Sequence, residues 1–160
     1  MKLILAIIPI SLYVLSCKST NPHSFNTNKI DTAAILASID SLGRVVQKAH
    51  DTRDDSLLLR TWAKNGVLIV EGTPPVYGRD SIVAKLRNMP SLPEGGSVKI
   101  KIMEVQVLSS EWAYVFGIDS LNYSSPGGKG IINETLTFFN LIKKTPEGWQ
   151  TFREILSPNQ

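Results

Sequence analysis

From Val98 to Leu156 the chain is patterned as long strands joined by short turns. Val98, Ile100 and Ile102 alternate with Lys99 and Lys101, the pattern of a strand with one dry face. At Met103 the phase slips, and Met103, Val105 and Val107 become the apolar set. A one-residue slip inside one run predicts a β-bulge, which bends a strand. Three more runs follow: Trp112 to Asn122, Ile131 to Lys144, and Trp149 to Leu156. Ser109-Ser110-Glu111, Ser124-Ser125-Pro126-Gly127-Gly128 and Thr145-Pro146-Glu147-Gly148 separate them, and these are turn sequences. Connections this short force neighbouring strands to run antiparallel.

The upstream region reads as helix. Ile35, Leu36, Ile39, Leu42, Val45, Val46 and Ala49 recur at three- and four-residue steps between 31 and 50, forming one apolar stripe. Asp31 or Thr32 can cap its start, and Gly43 interrupts it. A second helix is expected from Asp54 to Lys64, with Leu57, Leu58, Trp62 and Ala63 buried and Asn65-Gly66 as its stop. Val67 to Glu71 reads as a strand. A short helix follows from about Asp80 to Met89, with Ile82, Val83 and Leu86 inward. Helices first and long strands afterwards make an α+β domain, not a βαβ one.

The first residues predict export. Met1-Lys2 precede a short apolar run to Leu15, the layout of a secretory signal; the run is shorter than the roughly 20 residues a membrane span needs. Cys17 is the single cysteine of the 160 residues, so no intramolecular disulfide and no cysteine metal site can form. Val14-Leu15-Ser16-Cys17 resembles the bacterial lipobox, which implies cleavage after residue 16 and a diacylglycerol on Cys17. The expected organisation is a signal over 1–16, lipidated Cys17 with a Ser/Thr/Asn-rich tether over 17–29, and a folded domain over 30–157. The resemblance implies a bacterial membrane-anchored lipoprotein on the periplasmic or cell-surface side.

The net charge of +3 becomes +2 once Lys2 leaves, since residues 1–16 hold no acid. With no basic run and no basic stripe with interleaved aromatics, the sequence gives no support for nucleic-acid binding. Only His23 and His50 are present, so no metal site or Cys/His nucleophile is expected. His50 and Asp51 are neighbours and point to different helix faces, which disfavours a dyad. Gly127-Gly128-Lys129-Gly130 lacks P-loop spacing. No cofactor is implied.

Several strings in this order resemble the nuclear transport factor 2-like superfamily, in particular its SnoaL-like and ketosteroid-isomerase-like members. Asp54 heads an apolar helix ending in Trp62-Ala63-Lys64-Asn65-Gly66-Val67. Pro74-Pro75-Val76-Tyr77-Gly78-Arg79-Asp80-Ser81-Ile82 is similar to the family's proline loop and Gly-Arg helix start. Glu111-Trp112-Ala113-Tyr114-Val115-Phe116-Gly117 is similar to its Ala-Tyr-x-x-Gly strand. Gly148-Trp149-Gln150-Thr151-Phe152-Arg153-Glu154 is similar to its terminal strand, with Gln150 for the usual lysine and Glu154 for the usual aspartate. The resemblance spans about 31–157. It implies helices packed in the concave face of a strongly curved antiparallel sheet, a cone-shaped, cystatin-like barrel.

Isomerase chemistry on such a fold needs a carboxylate to move a proton beside a carbonyl, and neutral donors to hold the enolate oxygen. The candidates are Asp119, Glu134 and Glu154 on strands, with Tyr77, Tyr114 and Tyr123 as donors. Glu154 is the first choice as catalytic acid and Glu134 the second. Glu154 is expected to share a face with Phe152, Leu156 and Gln150, where Arg79 could neutralise it. Pocket candidates are Trp62, Tyr77, Met103, Tyr114, Phe116 and Phe152. Alternation in Trp112–Asn122 leaves two arrangements open. In one, Tyr114 and Phe116 face the pocket. In the other, the small residues face the helices and the aromatics form an outer face, through which the resemblance implies a homodimer.

Two functions remain. One is a membrane-anchored domain that binds a small hydrophobic ligand or serves assembly, favoured because no convergent Asp/His/Tyr set is visible. The other is an isomerase- or dehydratase-type enzyme acting on a hydrophobic carbonyl compound. The enzyme requires a closed apolar pocket with a carboxylate free of Arg or Lys and within reach of a tyrosine.

Overall fold

The computed structural model describes residues 30–88, 96–124 and 130–159. The expected signal, Cys17 and tether lie outside the described residues. In chain order the elements are α1 (Thr32–Thr52), α2 (Asp55–Thr61), β1 (Trp62–Val70), β2 (Val76–Tyr77), α3 (Arg79–Arg87), β3 (Ser97–Val107), β4 (Trp112–Ser124), β5 (Ile131–Thr145) and β6 (Gly148–Pro158). One six-stranded sheet has the order β2-β1-β6-β5-β4-β3. The sheet curls round the helices without closing.

Strands β3 to β6 pair in sequence and antiparallel, as their short turns require. The β3 register slips between Ile102 and Glu104, so Met103 is the bulge that the phase slip predicts. The sheet is nevertheless mixed. β1 lies parallel to β6, because the last strand inserts between β1 and β5. The second helix is also shorter than its period implies. Thr61 ends it, its hydroxyl donating to Leu58 O at 2.7 Å, and Trp62 turns extended to pair with Thr151. Strand pairing overrides helical propensity here. Asn65-Gly66 is not a helix stop but part of an irregularity, five β1 steps from Trp62 to Val67 facing two β6 steps from Thr151 to Arg153. A Cβ on Gly66 would lie 3.0 Å from both Ala63 O and the Trp62 ring.

α1 starts where Asp31 Oδ1 accepts the Ala34 N–H at 3.0 Å and stops at Arg53, whose φ of 54° is left-handed. Gly43 does not break it. Its missing side chain admits Ile102, whose Cδ1 would sit 3.2 Å from a Cβ there. The main core joins Ile35 and Ile39 of α1 to Trp62, Leu68, Ile82 and Val115 and the sheet residues around them. This burial is the chief favourable term, about 25 cal/mol per Å² of apolar surface.

Gly117 marks the tightest point of the sheet. A Cβ there would meet the Phe138 ring and come within 2.5 Å of Lys101 O on β3. Backbone cannot step aside as a side-chain tip can, so Gly117→Ala is expected to cost about 3 kcal/mol. Urea denaturation would read this as a lower midpoint with an unchanged slope.

Candidate active site

Pairing fixes which residues face inward. Val115 opposes Asn140, Asp119 opposes Leu136, and Asn140 opposes Glu154. Ala113, Val115, Gly117 and Asp119 therefore share one face of β4, turned toward α1. Between that face and the helices lies a cavity of about 100 Å³. Its apolar wall comes from α1 (Ile39, Leu42, Val46), from Trp62 and from sheet residues such as Val115 and Phe138. The polar groups reaching it are His50, Thr61, Asp119, Asn140, Thr151 and Glu154.

Neither inward carboxyl has a cation beside it among the described residues. Among the described residues that line the cavity there is no arginine or lysine. Lys99 and Lys101 flank Ile100, which opposes Asp119, so alternation sends both lysines to the other face. Arg79, the expected partner of Glu154, is instead ion-paired with Glu147 at 3.2 Å, where Lys64 also approaches at 3.7 Å. Asp119 Oδ1 is buried without a hydrogen-bond partner, and so is Asn140 Oδ1.

The electrostatic consequence follows from desolvation. Burial pushes Asp119 up to about 7. Burial pushes Glu154 up to about 8; the charge of Asp119 adds to this, while a hydrogen bond from Asn140 pulls the other way. Near pH 7.5 the pair therefore holds about one proton, and its titration belongs to both groups. Burial lowers the pKa of His50, and neighbouring Asp51 offsets part of that. Such a pair can accept a proton at one carboxyl while the other still donates.

The remaining candidates are dispersed. Trp62 and Glu154 line the cavity. Tyr77, on edge strand β2, is 70% exposed. Met103 is pushed out by its bulge and is 52% exposed. Tyr114 and Phe116 have the opposite parity to Val115. The Tyr114 ring stacks on Phe139 at 5.2 Å and its hydroxyl bonds Glu104, so the outer-face arrangement is the one formed. Phe152 faces away as well, because β6 bulges there and separates it from Glu154. It packs edge-on against Trp112 at 5.3 Å, with the Arg153 guanidinium 3.7 Å from its ring centre. Gln150 is held away from the acids, donating to Arg60 O at 2.9 Å. Glu134 is exposed, lies beyond the cavity, and accepts the Tyr123 hydroxyl at 2.7 Å. No tyrosine lines the cavity among the described residues.

Asn140 carries no motif, and Thr151, though inside the terminal-strand string, has no type or spacing that marks it. Asp119 had a signal. Setting the small residues Ala113, Val115 and Gly117 against the helices places it inward by parity alone.

No family model and no curated protein matches the chain. Solved structures do. A ketosteroid isomerase-like protein from Erwinia carotovora atroseptica aligns at 23% identity with a TM-score of 0.66, over 78% of this chain and 96% of that one. A putative dehydratase of the NTF2-like family from Streptomyces avermitilis aligns at 14% and 0.66, over 79% and 97%. A hexachlorocyclohexane dehydrochlorinase from Novosphingobium barchaimii aligns at 15% and 0.70, over 80% and 88%. The chain thus has the nuclear transport factor 2-like fold that its sequence motifs resemble.

Proposed function

We propose that the protein is an acid–base catalyst of the isomerase or lyase type, acting on a small, largely apolar compound. One of Asp119 and Glu154 takes a proton from carbon. The other, still protonated, donates to the atom that gathers negative charge or departs. The observation that carries this reading is the pair itself: two carboxyls in an apolar cavity with no cation among its described lining residues. Burying them costs stability, which a purely structural core has no reason to bear. The neutral carboxyl supplies the donor for which a tyrosine was expected. Fold neighbours are described as a putative dehydratase and a dehydrochlorinase, and a base with a nearby acid suits elimination too.

Single-ring compounds bearing a carbonyl, hydroxyl or amino group, incubated in D₂O, provide the test. Proton NMR should show deuterium entering a ring carbon of at least one of them faster than without protein. If the protein accelerates exchange in none of them, the reading fails.

The outer face supports pairing of two copies. Phe139 and Ile155 are 40% and 47% exposed beside Tyr114, and such aromatics suit an interface core. Ile155→Glu is expected to convert a dimer into a monomer in light scattering, and a wild type that is already monomeric would refute the pairing. Lipidated Cys17 would hold the protein on a membrane, where two acyl chains give stable anchoring.

A further inference from the structure

The polar inventory of the cavity is lopsided. Both of its unpartnered buried atoms, Asp119 Oδ1 and Asn140 Oδ1, are acceptors. Two donors nearby are spent: the Thr61 hydroxyl on Leu58 O at 2.7 Å, and an Asn140 amide N–H on Glu154. The titratable groups facing the cavity are His50 from α1, Asp119 from β4 and Glu154 from β6. His50 is kept neutral by burial, so the cavity carries negative charge or none. The walls are otherwise aliphatic and aromatic.

We propose that the occupant of this cavity is a small apolar amine in its ammonium form, whose N–H groups fill Asp119 Oδ1 and Asn140 Oδ1. An ammonium brings three donors and no acceptor, and its charge meets a carboxylate in surroundings that screen poorly. A ketone, with no N–H or O–H, would leave both acceptors unfilled. A carboxylate would meet like charge. An alcohol brings a single donor and no charge. The cavity volume, about 100 Å³, suits something on the order of one small ring.

This assignment rests on the acid–base reading and names its substrate class. It also gives the two carboxyls separate duties: Asp119 becomes the counter-ion and Glu154 the base, while the ammonium, already protonated, takes over the part of the neutral carboxyl. The cation offsets both the desolvation of Glu154 and the repulsion from Asp119, so Glu154 ionises when the amine arrives. Binding therefore releases protons from the protein.

Titration calorimetry at pH 7.5 in buffers of different ionisation heat tests this with cyclohexylamine, cyclohexanol and cyclohexanecarboxylate. The amine should bind at least tenfold tighter than either isostere, with proton release. Asp119→Asn, which thermal melting should show to be folded, should weaken amine binding at least tenfold and reduce the release. The proposal is overturned if an isostere binds as tightly, if the amine does not saturate, or if D119N binds it unchanged. Should the amine fail while deuterium exchange succeeds with another compound, only the cation is lost. Should exchange fail as well, the acid–base reading falls with it.

Discussion

Glu154→Gln is expected to lower the rate of proton transfer by about 10²–10⁴-fold, the range a positioned general acid or base contributes. Gln keeps the shape and can still hydrogen-bond Asn140, but it can neither accept nor deliver the proton. The loss should fall on turnover, with ligand binding changed much less. Glu134→Gln is the matched control. Glu134 lies on the same sheet beyond the cavity, bonded to Tyr123, and its replacement should leave turnover within about twofold, since the rate tracks only groups at the reacting atoms. Deuterium uptake by the three proteins, followed side by side, would measure both. Equal loss in the two variants would mean that the sheet had been disturbed, not the chemistry.

The same substitution should make the protein more stable above about pH 4, and most of all in alkali. Asp119 and Glu154 have folded-state values of about 7 and about 8, both above those of an unfolded chain. The folded state therefore binds more protons than the unfolded one above about pH 4, and stability falls as pH rises. The fall ends near pH 7 for Asp119 and near pH 8 for Glu154, beyond which both states are ionised. Each tenfold change in acidity is worth about 1.4 kcal/mol, so each carboxyl costs the fold a few kcal/mol at pH 9. Glu154→Gln and Asp119→Asn should match wild type at pH 4 and exceed it by a few kcal/mol at pH 9, shown by urea denaturation at both values. His50 acts with the opposite sign. Its lowered folded-state value means that stability is lost as pH falls below about 6.5.

A fold bought with strand patterning is readable where the pattern is local. The Met103 bulge, the four antiparallel strands and the helical stripe of Ile35, Ile39 and Ala49 each follow from spacing over a dozen residues. What spacing could not give is pairing between distant segments. Trp62 fits a helix by period, but Thr151 claims it for the sheet. The bulge at Phe152 leaves no trace in the alternation of 149–156, and it alone separates Phe152 from Glu154. The site shows the same division. Glu154 stood out as an acid among apolar neighbours. Asn140 and Asp119 lie on two other strands, and only the registers Asn140↔Glu154 and Val115↔Asn140 bring that face together. Arg79 looked available because its real partner, Glu147, sits in a turn whose position the sequence does not fix.

Carbon-13 NMR of the side-chain carboxyls, titrated from pH 3 to 10, tests most directly whether two uncompensated acids share this cavity. One resonance should titrate near 7 and another near 8, and the second should lose only part of its rise when Asp119 becomes Asn, since burial is the larger cause. If both carboxyls ionise near pH 4, each has water or a cation that the structure does not give it, and the proton-transfer site does not exist.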